Sequence, residues 1–280
     1  QAGKIDLIVT GMSATEQRRK FVDFTQPYYA NSQVMMVRDA AKAAAGGGFW
    51  QGLKDSVEAN IIAENRYLLL WDGLKTTFVI SILSTIFGTI LGGIICFMRM
   101  SRSRLLNIPA KIFISVLRGI PVVVLLMLIF YVVFASVNIS AVLVAVVAFG
   151  MNFAAYVAEI FRTGIEGIEP GQTEAGLSMG FTRTGTFRLV ILPQMIRRIL
   201  PVYKGEFISL VKMTSIVGYI AVMDLTKASD IIRARTFDAF FPLVLVAVLY
   251  FLISYVLILL MDWGERRTDP RRKIRKAGVA

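Results

Sequence analysis

Four stretches of this chain run almost without a polar break. Residues 73–98 carry one charge, Lys75, near their start, and residues 120–137, 139–158 and 239–261 carry none. A helix needs roughly 20 mainly apolar residues to cross the hydrocarbon core of a bilayer, so each stretch is read as a span. A fifth stretch, 199–223, is apolar but interrupted by Lys204, Glu206 and Lys212. It lacks the strongly charged face of a helix lying on a bilayer surface, and it too is read as a span. The pattern predicts an all-α membrane protein with five transmembrane helices at about these positions.

Basic residues gather in three segments. Arg99, Arg102, Arg104, Lys111 and Arg118 follow the first span. Arg162, Arg183, Arg188, Arg197 and Arg198 lie between the third and fourth. Arg266, Arg267, Arg271, Arg272, Lys273, Arg275 and Lys276 follow the fifth. The link between spans four and five holds only Lys227, Arg233 and Arg235. Lys and Arg accumulate on the cytoplasmic side, so the N-terminus is expected outside and the C-terminus inside.

Composition narrows the function class. Charged residues make up 18%, hydrophobic residues 56%, and the mean hydropathy is +0.64. These values exclude an ordinary soluble enzyme and a disordered chain. The net charge of +12 is explained by topology and by attraction to the headgroups of a lipid bilayer. A nucleic-acid partner is not expected, because the basic residues sit at span ends rather than on a folded patch. One cysteine, Cys96, and no histidine exclude a disulfide scaffold, a cysteine metal cluster and His-based catalysis. There is no GxxxxGK[ST] phosphate loop, so ATP hydrolysis is expected on another polypeptide, and this chain is read as no enzyme, without a metal or cofactor of its own.

The chain begins outside the spans with KIDLIVTGMSATEQRRKFVDFTQPYY, a strand-like alternation, a turn and a helix start, followed by the low-complexity linker AAKAAAGGG. Fewer than 40 residues precede the linker, too few to bury a stable core alone. The segment resembles the solute-binding proteins of polar amino-acid uptake systems. The resemblance implies that Arg18 clamps a ligand carboxylate and that Thr10, Gly11 and Ser13 hold the ligand's polar groups. Only part of one lobe is present, so a short α/β fragment of a binding lobe is expected, a remnant or piece of an upstream domain that does not bind ligand by itself.

Between the third and fourth spans lies AEIFRTGIEGIEPGQTEAGLSMGFTRTGTFRLVILPQMIRRILP, too long and patterned for a passive link. Pro170-Gly171 opens a turn, Thr173 is expected to cap a short helix, and Gly180 to end it. A second short helix is expected over about 184–190. The loop resembles the EAA loop of ABC-transporter permeases at Glu174, Ala175, Gly176 and Gly180, then Ile191, Leu192 and Pro193. Gly176 stands where that pattern has alanine, a departure expected to weaken the helix by about 1 kcal/mol. Arg118-Gly119-Ile120-Pro121, AYVAEIFRTGI and FISLVKMTSIVGYI also resemble the polar amino-acid branch of these permeases.

The resemblance implies a domain order: a partial lobe at 1–39, a linker and pre-membrane helix at 40–72, a permease domain at 73–263 with its coupling loop at 166–193, and a basic cytoplasmic tail at 264–280. It also implies ATP and magnesium on separate ATPase subunits, a second permease copy, an extracytoplasmic amino-acid-binding protein or domain, and a bacterial cell membrane. Among residues buried in the spans, Lys212, Thr214, Ser215 and Glu206 are candidates to line the passage, because an ionisable group in a bilayer usually faces a cavity or partner. Glu206 and Lys212 are about 600° apart on a helix and share no face. Glu159 and Arg162 are expected to pair locally. Gly88 and Gly92 form a GxxxG pattern expected to support close packing, with a second copy as the candidate partner. The competing readings are a ligand-gated channel of the glutamate-receptor type and a stand-alone secondary transporter.

Overall fold

The computed structural model describes residues 49–268. The expected binding-lobe fragment, with Thr10, Gly11, Ser13 and Arg18, lies outside the described residues. Among the described residues every regular element is helical and no strand occurs.

The first described element is α1, Phe49–Val57, which continues into a π turn at Glu58–Ile62 and a 3-10 turn at Ala63–Asn65. Asn60 is buried there and donates through Nδ2 to the Ser56 carbonyl at 2.9 Å and to Asp238 Oδ2 at 3.0 Å. The buried Arg66 donates to the Ala59 carbonyl and pairs with Glu64 at 3.1 Å.

The first span is α2, Tyr67–Met100, and the third is α5, Ala141–Glu166. At 1.5 Å per residue α2 is about 51 Å long and outreaches the hydrocarbon core. Its buried positions include Gly73, Thr77, Ser81, Ser84, Gly88 and Gly92, a stripe of small residues three or four apart. That stripe lets backbones approach, which matters because apolar burial alone does not drive helices together in lipid. A Cβ at Gly88 would lie 2.7 Å from the Gly150 carbonyl oxygen, and one at Gly92 2.9 Å from that of Ala154. Ser84 Oγ also donates to the Val146 carbonyl at 3.2 Å. The GxxxG pattern is therefore occupied by α5 of the same chain, which corrects the expectation that it meets a second copy.

The uncharged run 120–137 is not one straight span. Helix α3, Arg104–Gly119, is amphipathic and buries Ala110, Ile114 and Leu117. It turns by 109° into the segment Val122–Val133, made of α4, Val122–Leu128, and a π turn at Ile129–Val133. That segment is about 18 Å long and cannot cross alone. Proline at 121 removes a helix donor and disfavours the helical conformation at Ile120, which is extended (φ −93°, ψ 133°).

The stretch 199–223 is broken too. After the loop helices α6, Pro170–Ser178, and α7, Arg183–Thr186, helix α8 covers Leu192–Met213 and runs into a 3-10 segment, Thr214–Ile220. Ala221 takes a left-handed conformation (φ 59°), and α9, Leu225–Thr236, leaves at 51°. Lys227, Arg233 and Arg235 thus lie on a helix rather than in a link. The last span is α10, Phe241–Thr268. Three helices (α2, α5 and α10) are long and apolar enough to cross, and five crossings result when each bent pair counts as one.

The core joins α2, α4, α5, α8 and the 3-10 segment through Ile80, Leu126, Phe149, Val157, Leu210 and Val217. A smaller cluster of Ile95, Cys96, Ala110, Ile114 and Ala158 holds α3 on the ends of α2 and α5.

Candidate functional site

Helix α6 begins differently from the expectation. Pro170 takes a position in its first turn, where a missing N–H costs nothing, and Glu169 precedes it without a side-chain cap. Thr173 lies inside the helix, not at its cap. The end is as expected: Gly180 adopts φ +86°, its N–H donates to the Leu177 carbonyl at 3.0 Å, and Phe181 N–H donates to the Gly176 carbonyl at 3.2 Å. These are the two bonds of a Schellman turn, which glycine closes without strain. The second loop helix, expected over about 184–190, is the short α7 followed by a π turn at Phe187–Ile191. Thr182 caps α7, its Oγ1 accepting from Gly185 N–H at 3.1 Å.

Glu174, Ala175 and Gly180 are exposed, and Gly176 alone in α6 is buried. A Cβ at Gly176 would stand 2.5 Å from Thr186 Cγ2, so the glycine is where α6 rests on α7. This corrects the view of Gly176 as a simple weakening of the helix, because its missing methyl makes the contact. Thr186, which sequence reasoning missed, is buried and its hydroxyl has no partner among the described residues.

Further contacts tie the loop to the spans. Gln194 Nε2 donates to Gln172 Oε1 at 3.1 Å and to the Val190 carbonyl at 3.0 Å. Phe187 packs edge-on against Phe97 of α2, with centroids 5.9 Å apart. Gly164 of α5 faces Ile199 closely, and Arg198 donates to the Gly167 carbonyl. Ile191 is buried, Leu192 half-buried and Pro193 exposed. The loop is thereby braced on α2, α5 and α8 together. Its outer surface carries Leu177, Met179 and Phe181, exposed beside Glu174, and Met179 is 76% exposed. Glu174 forms no ion pair among the described residues.

Charged groups cluster where α2 and α5 end. Arg162 Nε donates to Glu159 Oε2 at 3.0 Å, the local pair expected from sequence, and also pairs with Glu166. Arg99 reaches Glu159 at 3.6 Å, and the Arg118 guanidinium lies 4.9 Å from the Tyr156 ring centroid. Lys204 has partners the sequence did not suggest: Asp262 Oδ1 at 2.6 Å and Glu265, both on α10.

Of the four passage candidates, Lys212 is exposed, Glu206 and Ser215 are half-buried, and Thr214 is fully buried with its hydroxyl donating to the Val211 carbonyl at 2.7 Å. Nearby, Asp224 is fully buried and caps α9, accepting from Thr226 and Lys227 N–H, each at 2.9 Å, and from Tyr250 Oη–H at 3.2 Å. A Cβ at Gly73 would meet its carbonyl oxygen at 2.6 Å, so α2 presses on the same junction. Sequence reasoning stopped the span at Met223 and missed Asp224, although an Asp directly before Leu-Thr-Lys is an N-cap signal. Among the described residues no group of His, Cys, Asp and Glu could hold a metal ion.

Residues 71–270 match the family described as binding-protein-dependent transport system inner membrane component. The chain is 36% identical over 196 residues to the probable amino-acid ABC transporter permease protein YckA of Bacillus subtilis (strain 168), covering 70% of this chain and 87% of that one. It is 38% identical over 202 residues to the glutamine transport system permease protein GlnP of Escherichia coli (strain K12), covering 71% and 92%. Among solved structures it is similar to a chain in the crystal structure of an amino acid ABC transporter with histidines, with a TM-score of 0.66, 38% identity, and 72% and 94% of the two chains covered. The chain belongs to the binding-protein-dependent transport system inner membrane component family.

Proposed function

We infer that this chain is the membrane-spanning permease subunit of an ATP-driven ABC importer for polar amino acids. It is not itself the ATPase. The observation that carries the reading beyond family membership is the α6–α7 loop: a short helix fixed by Gly176 and Gly180, braced on three spans, with an apolar outer face. The relatives are an amino-acid ABC transporter permease and a glutamine transport system permease by name, which favours this reading over a gated channel or a secondary transporter.

The finer arrangement is part of the proposal. ATPase subunits, which bind ATP and magnesium, dock on Glu174, Ala175 and the Leu177–Met179 face, with Ile191, Leu192 and Pro193 passing the movement into α8. Two permease copies pair, an extracytoplasmic amino-acid-binding protein or domain delivers solute, and the complex sits in the bacterial inner membrane with the N-terminus outside and the C-terminus inside. Lys212, Ser215, Glu206 and Thr214 are proposed to border the passage. An order of lobe fragment, linker, permease domain and basic tail belongs to the same proposal, and Arg18, Thr10, Gly11 and Ser13 are the positions such a lobe would use.

The test is affinity purification of the tagged chain from solubilised membranes, with mass spectrometry of what co-purifies. An ATP-binding subunit is expected in wild type, lost in Gly180→Asp, where the left-handed φ strains any side chain, and weakened in Glu174→Lys. Recovery of the chain alone, from membranes in which its neighbours are expressed, would overturn the reading.

A further inference from the structure

In an α-helix each carbonyl accepts from the N–H four residues on. In α3 that ladder ends with Ile120 N–H, which donates to the Val116 carbonyl at 3.1 Å. The next carbonyl, that of Leu117, would take the N–H of residue 121. Residue 121 is proline and has none. Leu117 and Asn152 are both only 5% exposed, inside the bundle. The missing donor comes from α5: Asn152 Nδ2 donates to the Leu117 carbonyl at 3.0 Å. Turning the amide over would set two oxygens against each other, so its orientation follows from the partner.

Asn152 is the one amide in the uncharged run 139–158, and a polar group there is costly unless bonded. It shares its helix with the start of the coupling loop. Glu166, the last residue of α5, is 14 residues on, about 21 Å along one rod. We propose that Asn152 is a positioning residue for transport: it supplies the donor that Pro121 lacks and locks the corner between α3 and α4 to α5. The corner then moves with α5 as one body and does not flex as a hinge. The mechanical half of this inference rests on the permease reading; the bonding half does not.

The test uses the full chain with the subunits that co-purify, in lipid nanodiscs, with Cys96→Ala and spin labels at cysteines replacing the exposed Lys111 and Val132. Wild type is expected to give a narrow distance distribution across the corner, the same with and without vanadate-trapped nucleotide. Asn152→Leu keeps similar volume without a donor. It should broaden the distribution and lower Tm by about 2–10 °C. Ile120 is extended, so an N–H at residue 121 reaches the Leu117 carbonyl only when residue 120 turns helical; Pro121→Ala with Asn152→Leu permits that turn, and should recover at least half of that loss with a shifted corner distance. A packing role alone predicts no such rescue. An unchanged narrow distribution in Asn152→Leu overturns the proposal. So does a double variant no more stable than Asn152→Leu, or a wild-type corner that opens on trapping. If Asn152→Leu does not fold, a folded double variant supports the proposal and an unfolded one overturns it. Absence of any nucleotide-binding subunit from wild type would overturn the permease reading instead, while the distances and the rescue would still decide the bonding.

Discussion

Gly176→Ala places a methyl where α6 rests on α7. The new Cβ would lie 2.5 Å from Thr186 Cγ2, 2.9 Å from its Oγ1 and 3.2 Å from its Cβ. Threonine fills two of three staggered positions, and both filled positions face Gly176. Any other rotamer leaves at least one γ atom in the way. Alanine gains about 1 kcal/mol of helix propensity over glycine, while overpacking costs about 1–3 kcal/mol. The net expectation is a loss of up to about 2 kcal/mol. Thr186→Ala removes both γ atoms and an unpartnered buried hydroxyl, so in that background Gly176→Ala should be neutral or stabilising. The coupling between the two positions is then about 1–3 kcal/mol. On the proposed docking of the ATPase subunit at α6, the strain is expected as a weaker Kd for that subunit, up to about 30-fold. Titration of that subunit onto nanodisc-held permease, over wild type, both single variants and the double, measures the cycle. A cycle with no coupling, in which Gly176→Ala has the same effect on binding with Thr186 as with alanine at 186, would refute the reasoning.

Two further outcomes follow from pairs of different burial. Lys204→Met removes the cation shared by Asp262 and Glu265 from a site where the lysine side chain is 13% exposed, and is expected to cost about 1–3 kcal/mol in thermal unfolding; Lys75→Met, at an exposed pair with Asp72, should change stability by less than about 1 kcal/mol, and equal effects would contradict the assignment. At the α9 junction, Asp224→Ala removes a buried cap and should cost about 2 kcal/mol or more, Tyr250→Phe about 1–2 kcal/mol, and Asp224→Asn the least, because asparagine also caps; an Asp224→Ala protein as stable as wild type would sink that account.

Local signals were legible where one residue fixes one geometry. Gly180 reads as a helix end because a left-handed residue is needed there, and the structure gives it φ +86°. The cap of α6 was misplaced because Thr173 competes with Pro170, and proline's fixed φ wins the first turn. The small-residue spacing of Gly88 and Gly92 announces a close approach but carries no address. Only the fold shows that the α5 backbone fills it.

The sequence by itself determined that the chain spans a membrane, that short helices lie between the third and fourth stretches, and where the first of them stops. Those properties are sums or single-residue constraints along the chain: apolar length, the placement of turn residues, the φ of one glycine. Tertiary structure alone decided that two of the five stretches are bent, by 109° and 51°. It also decided that Lys204 is answered by α10, that Thr186 needs Gly176, and that Asn152 answers Leu117. A hydropathy window counts side chains and is blind to a carbonyl that has lost its donor; which distant group satisfies that carbonyl is set by packing, since a backbone group inside the bundle has no water to turn to.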